Sequence, residues 1–282
     1  MKKLLSTTVV MIFGLTLFSQ APFPEPDQIE SFYHTKTLVV LENQMFSTYN
    51  AFIKGAMKEF WEITEFEFIT TDEFESKRKD PAYSFLVLTQ TRFDKDNSGS
   101  VYNFLNLLLG NKVGRIEDMP EMCAIPLSIA DSDEFEYTYK VGMVLRFMQA
   151  HVKHLSEDPT ISGKRYMKYY NQFIPELPGK TILVSKDDLE EDVLSQKTNP
   201  KIFPENLVIA TDEEVKEAIV NRAPNTVILH KVGPVAREGG ICFKMVIGTD
   251  NGMMYFYGEH KVTPKNRNGL LLNDIKRIGR FR

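Results

Sequence analysis

The chain has 282 residues, 43% of them hydrophobic, with 34 Lys and Arg against 38 Asp and Glu and a formal charge of −4. That length buries a core without covalent staples, and two cysteines, Cys123 and Cys242, exclude a disulfide scaffold, although one bridge between them stays open. The acidic balance excludes a global pull towards nucleic acid.

The first residues read as a secretory signal peptide. Lys2 and Lys3 precede an apolar run from Leu4 to Phe18, and Ser19-Gln20-Ala21 forms a small-x-small cleavage site. The run is shorter than the ~20 apolar residues a bilayer requires, so residues 1–21 are expected to be removed and the chain exported, to the periplasm or the outer membrane. The site carries no cysteine for a lipid anchor, and no later segment is long and apolar enough to span a membrane. Residues 22–36 begin PFPEPDQ and read as a flexible lead.

Two units then follow one script, over 37–138 and 179–263. TLVVL (37–41) and TILVS (181–185) are short apolar runs of the kind buried on both faces of a sheet. After the first, Met45, Phe46, Tyr49, Phe52, Ile53, Ala56, Met57 and Phe60 recur at helical spacing. After the second, Ser185 is expected to cap a helix over KDDLEEDVL (186–194). FEFITTDEFE (66–75) lines up with LVIATDEEVKEAI (207–219), each a strand and then a helix start. Thr211 and Glu214 form a capping box, whereas Phe74 at the matching position leaves the first unit a threonine cap alone. YSFLVLTQTRF, VYNFLNLLLG and MCAIPLSI complete the first unit as three strands; NTVILHKV, GICFKMVIG and MMYFYGEH complete the second.

Each half therefore predicts β-α-β-α-β-β-β, which makes the fold α/β (α+β): two similar units with mixed sheets, in the manner of a duplicated domain. A helical connector occupies 139–178, bounded by Asp158-Pro159, Ser162-Gly163 and Pro178-Gly179. Residues 264–282 form a basic C-terminal tail, read as a terminal helix with Leu270, Leu271, Ile275 and Ile278 inward. Contact of this tail with an anionic membrane surface or an acidic partner is the competing reading.

Several stretches invite a site. In DKDNSGSVYNFL (94–105), Asp94, Asp96, Ser98 and Gly99 match an EF-hand loop at positions one, three, five and six, yet Leu105 stands where the loop needs a bidentate Glu. Its flanks read as strands and its counterpart is GPVAREGG (233–240), so a hairpin turn is expected, with Asp94 and Asp96 as weak cation candidates. His151 and His154, with Glu157, share one helix face at a spacing that suits metal ligation; the plainer reading is a solvated helix end. His230 at a strand end and Cys242 across the hairpin are the minimum for thiol nucleophilic catalysis, set against a strand-end histidine beside a buried thiol. The acids of EFWEITEFEF (59–68) fit one wet strand face better than a carboxylate pair for sugar chemistry. Tyr166, Tyr169, Tyr170 and Phe173 offer an aromatic interaction surface, or else pack the connector. No Gly-rich phosphate loop follows TLVVL or TILVS, no GxSxG occurs, and no cofactor is expected.

The SQA-type leader, FLVLTQ, YNFLNLLLG, LRFMQ and LHKVGP resemble exported proteins of Bacteroidota-type bacteria, over most of the mature chain. That resemblance brings no established activity with it. The first unit's element order is also similar to small periplasmic α/β domains such as the N-terminal domain of TolB, an analogy that carries no site residues. The expectation is a non-catalytic envelope protein acting through contacts with other envelope proteins. The alternative is an envelope hydrolase or small-ligand binder with its site in the cleft between the units. Flat apolar patches would favour the first, a deep polar pocket the second.

Overall fold

The computed structural model describes residues 22–44, 47–163, 165–235 and 237–279. The expected signal peptide, Met45, Phe46 and the last three residues of the tail lie outside them.

Pro26, with its φ preset for a first helical turn, opens α1 (Pro26–Phe32). Ile29 and Phe32 are buried, and the Glu121 N–H donates to the Pro22 carbonyl at 2.9 Å. The lead expected to be flexible is instead a docked helix. The first unit then runs β1 (Lys36–Val40), α2 (Thr48–Phe60), β2 (Phe66–Ile69), α3 (Thr71–Lys77), β3 (Tyr83–Thr91), β4 (Tyr102–Leu109) and β5 (Glu121–Ile129). The connector holds α4 (Val141–Glu157) and α5 (Tyr166–Tyr169). The second unit runs β6 (Thr181–Ser185), α6 (Glu191–Ser195), β7 (Leu207–Ala210), α7 (Asp212–Val220), β8 (Thr226–Val232), β9 (Ile241–Gly248) and β10 (Met254–Lys261), and α8 (Leu272–Ile278) ends the description.

Each half is a five-stranded mixed sheet. The orders are β2-β1-β3-β4-β5 and β7-β6-β8-β9-β10, with the first three strands of each parallel and the last two antiparallel. The predicted β-α-β-α-β-β-β succession holds in both halves.

Local chemistry accounts for most elements. In α2 the Ser47 side chain accepts from Asn50 N–H, and Tyr49, Ile53, Met57 and Phe60 form one buried stripe. In α7 the Thr211 and Glu214 box is present. α3 has one too: Thr70, not Thr71, is its N-cap, with Glu73 reaching back to Thr70 N–H at 2.8 Å. Of the two adjacent threonines, the earlier one places a glutamate at the third helical position, which Phe74 denied to the later one.

The helix expected after β6 is the clear departure. Residues 186–188 make a single 3-10 turn, and α6 starts only at Glu191. Ser185 caps nothing; its hydroxyl donates to Asp212 at 3.0 Å. The cause is long-range: Leu189 bridges Leu270 as a strand does, with Leu270 N–H donating to Asp188 O at 2.8 Å and Glu190 N–H to Leu270 O at 3.2 Å. Backbone groups that a helix needed are taken by the tail. The tail itself buries Leu270, Ile275 and Ile278.

One apolar core draws on both sheets and on α4. Phe93, Tyr102 and Phe104 of the first half surround Phe243 of the second, at ring-centroid distances of 5.9, 5.7 and 6.0 Å. Tyr102 links the halves further, because its hydroxyl accepts from Ile241 N–H at 2.7 Å and donates to Asp96 at 2.6 Å. Asp96 also accepts from Ser98 N–H at 2.8 Å. The calcium-like loop is thus a hairpin turn between β3 and β4, and the carboxylate of Asp96 is engaged in holding two hairpins together. Tyr102→Phe strands the Ile241 amide and one Asp96 oxygen, and is expected to cost about 1–3 kcal/mol in urea denaturation. Added calcium is expected to leave the unfolding midpoint unchanged.

Candidate ligand-binding site

The parallel part of the second sheet locates the site. The chain leaves β6 towards β7 on one side, then returns through α7 to β8 on the other. The backbones leaving the carboxyl ends of β6 and β8 therefore part, and open α/β sheets take their ligands into such a crevice. Here it is a cleft of about 990 Å³, walled by residues 185–189 after β6, by residues 230–233 of β8 and its exit, and by the end of β5 and the start of the connector. It lies between the two halves.

Two ammonium groups meet in it. Lys140, next to α4, and Lys231, on β8, have side chains only 6% and 12% exposed, and both face Asp188, itself 11% exposed. The distances are long, 3.5 Å from Lys140 and 3.3 Å from Lys231. Lys231 also donates to the Asp187 carbonyl at 3.1 Å. Among the described residues Asp188 is the one carboxylate within ion-pair reach of either lysine, so the floor holds an excess positive charge that water barely reaches. Such a charge is costly unless paired.

Two acceptor atoms of its lining residues, both closed to solvent, are unmatched. His230 donates through Nε2 to the Pro126 carbonyl at 2.9 Å, which leaves the Nδ1 lone pair without a partner among the described residues. Burial brings this imidazole down to about 4, and the Lys140 charge adds to the shift, so it is neutral at pH 7. Asn268 donates to the Gly233 carbonyl at 3.1 Å and leaves its own Oδ1 unpartnered. A Cβ on Gly233 would sit 2.3 Å from that oxygen, so only glycine permits the approach. Farther out, Tyr139 and Ser185 both donate to Asp212, at 2.8 and 3.0 Å. Burial and this bond raise the Tyr139 phenol well above its ordinary value.

His230 is the one site candidate from the sequence that lines this cleft. Its strand neighbour across the hairpin is Met245, not Cys242, which is paired with His260 of β10. Cys242 is fully buried behind Gly233, and burial pushes its thiol up to about 11. The two do not form a catalytic pair. Cys123 and Cys242 are both free thiols.

Of the other candidates, Asp94 is exposed and lies away from this cleft, and the histidines and aromatics pack the connector. The Nδ1 atoms of His151 and His154 face one Tyr170 hydroxyl, at 2.7 and 3.4 Å, and His151 stacks on Tyr166 at 4.6 Å. Burial takes His151 down to about 3. Tyr166 accepts from Ala124 N–H at 2.9 Å and donates to its carbonyl at 2.8 Å, clamping α5 to β5. Tyr170 is fully buried, Tyr166 and Phe173 are half-buried, and Tyr169 is the exposed one of the four. Among the described residues no three His, Cys, Asp or Glu side chains gather as a metal site.

Sequence reasoning passed over Lys140, Asp188, Lys231 and Asn268. Its one available signal was SKDD, a charged run directly after a buried strand.

The fold and the cleft define a mixed-sheet α/β protein of two similar sheet units with a polar crevice between them, in whose floor two buried lysines share one aspartate. No known family model, curated protein or solved structure matches the chain. Among the described residues no helix is long and apolar enough to cross a membrane.

Proposed function

We propose that this is an exported binding protein that captures a small hydroxylated anion, such as a hydroxy acid or sugar acid, in the cleft between its halves. The observation that carries the reading is the pair of buried ammonium groups, Lys140 and Lys231, sharing the single carboxylate of Asp188. A ligand carboxylate or phosphate completes that charge balance. The unpartnered His230 Nδ1 and Asn268 Oδ1, closed to solvent here, accept from ligand hydroxyls once their side chains turn towards the cleft, a match that an anion alone does not supply. Export follows from the leader pattern. The buried Tyr170 and the half-buried Phe173 weigh against the aromatic-surface scaffold reading, and the separation of His230 from Cys242 weighs against thiol hydrolysis.

Tartrate and succinate differ only in their hydroxyl groups and make the test direct. Calorimetric titration is expected to show tartrate binding about tenfold more tightly than succinate, roughly one good hydrogen bond. Lys140→Met and Lys231→Met are expected to weaken tartrate by about tenfold or more each, with the fold intact by circular dichroism. Equal affinity for the two acids, or lysine variants that bind tartrate unchanged, would sink the proposal, as would no binding of tartrate, glucuronate or inorganic phosphate.

A further inference from the structure

A second cavity, of about 680 Å³, is built from other residues. Its floor is the outer face of β3, β4 and β5, and its cover is α5 with the edge formed by β9 and β10. Phe93, Phe104, Phe243 and Tyr257 give it aromatic walls.

Of the four carboxylates that line this space, two are withdrawn from water. Glu117, on the 3-10 turn before β5, has a side chain only 9% exposed, and its Oε2 has no hydrogen-bond partner among the described residues. Its other oxygen sees Arg115 at 3.4 Å, but that guanidinium is 64% exposed and makes its short bond, 2.8 Å, with Asp118. Glu121, at the start of β5, is desolvated enough to be raised to about 7. The remaining charges of the cavity answer one another or lie in water. Glu259 is held by Lys168 at 3.1 Å and by the Tyr257 hydroxyl at 2.7 Å, while Arg92, Asp94, Lys95 and Arg165 are exposed rim residues. No described cation stands inside to balance the two glutamates.

An enclosed carboxylate oxygen without a donor calls for a cation from outside, and aromatic walls favour a cation over a neutral guest. We infer that this cavity binds a small organic cation, an ammonium or guanidinium on an apolar stem, with Glu117 and Glu121 as its counter-charges. The shape and chemistry differ from the anion cleft: there the unmatched groups are ammonium donors and neutral acceptors, here they are carboxylates among rings. The inference stands apart from the proposed anion binding, since no lining residue is shared between the two cavities.

The probes are phenethylamine and agmatine, with phenethyl alcohol as the neutral isostere of the first. At pH 8, where Glu121 is mostly ionised, calorimetry or ligand-observed NMR on the full mature chain is expected to detect binding of at least one amine and none of the alcohol. Glu117→Gln and Glu121→Gln keep side-chain shape and remove a buried charge, so both are expected to fold and to weaken the amine by about tenfold or more. Lys140→Met is expected to leave amine binding unchanged. Failure of both amines to bind, equal binding of the alcohol, or Gln variants that bind as tightly as the parent would overturn the inference.

Discussion

Asp274→Asn is expected to lower the unfolding free energy by about 3–5 kcal/mol, the largest single-site loss among the charged residues of this protein. Asp274 sits on α8 and pairs with Lys244 of β9, whose side chain is 1% exposed. The same carboxylate accepts the Leu271 N–H at 3.0 Å at the start of α8. Lys244 has one further partner, His260 Nδ1 at 2.8 Å, and that ring is held by Nε2 donating to the Arg267 carbonyl at 2.8 Å. Removing the carboxylate's charge therefore leaves an ammonium in the core with a neutral acceptor only. Replacing both members, Lys244→Met with Asp274→Leu, removes the desolvation cost along with the attraction and is expected to recover most of the loss. Equilibrium denaturation of the two single variants and the double variant measures the coupling. A single variant within about 1 kcal/mol of the parent would show that water reaches Lys244.

Acid is expected to weaken the fold from pH 6.5 downwards, through His151 and His230. In the unfolded chain each imidazole takes up a proton near 6.5, whereas in the folded chain burial holds them to about 3 and about 4. Between those values the unfolded state binds more protons, so stability is fully present above 6.5 and is lost as pH falls towards 4. At roughly 1.4 kcal/mol per pH unit, His151 withdraws on the order of 5 kcal/mol and His230 on the order of 3 kcal/mol by their folded values. Glu121 works in the other direction. Raised to about 7, it keeps its proton longer in the folded state, so its contribution declines as pH rises from 4.5 to 7. Two imidazoles outweigh one carboxyl, and the optimum is expected near pH 6.5. His151→Asn with His230→Gln keeps a polar group at each ring position that bonds, and is expected to flatten the acid limb of a urea midpoint against pH plot. A limb as steep as the parent's would show that other groups carry it.

The sequence and the structure agree where short-range physics decides. The apolar runs at 37–41 and 181–185, the three- and four-residue spacing in α2 and the Thr211 box all act within one turn or one strand, and each appears where the pattern placed it. They part where a distant segment competes. Leu270 takes the backbone groups of residues 188–190 and shortens α6 to five residues. The β8–β9 register sets His230 opposite Met245 and separates it from the thiol. The lead docks through Ile29 and Phe32, because the groove beside α4 that receives them belongs to no local pattern.

What the sequence determined by itself is the order of elements, the hairpin character of residues 94–101 and the presence of two like sheets, since periodicity, caps and turn residues act over a few positions. The binding chemistry belongs to tertiary structure. Lys140, Asp188, Lys231 and Asn268 come from four segments, and each alone reads as an ordinary surface residue. Only when the sheets close on α4 are the two ammonium groups withdrawn from water and set around one carboxylate, and it is this desolvation, absent from any linear pattern, on which the proposed anion binding rests.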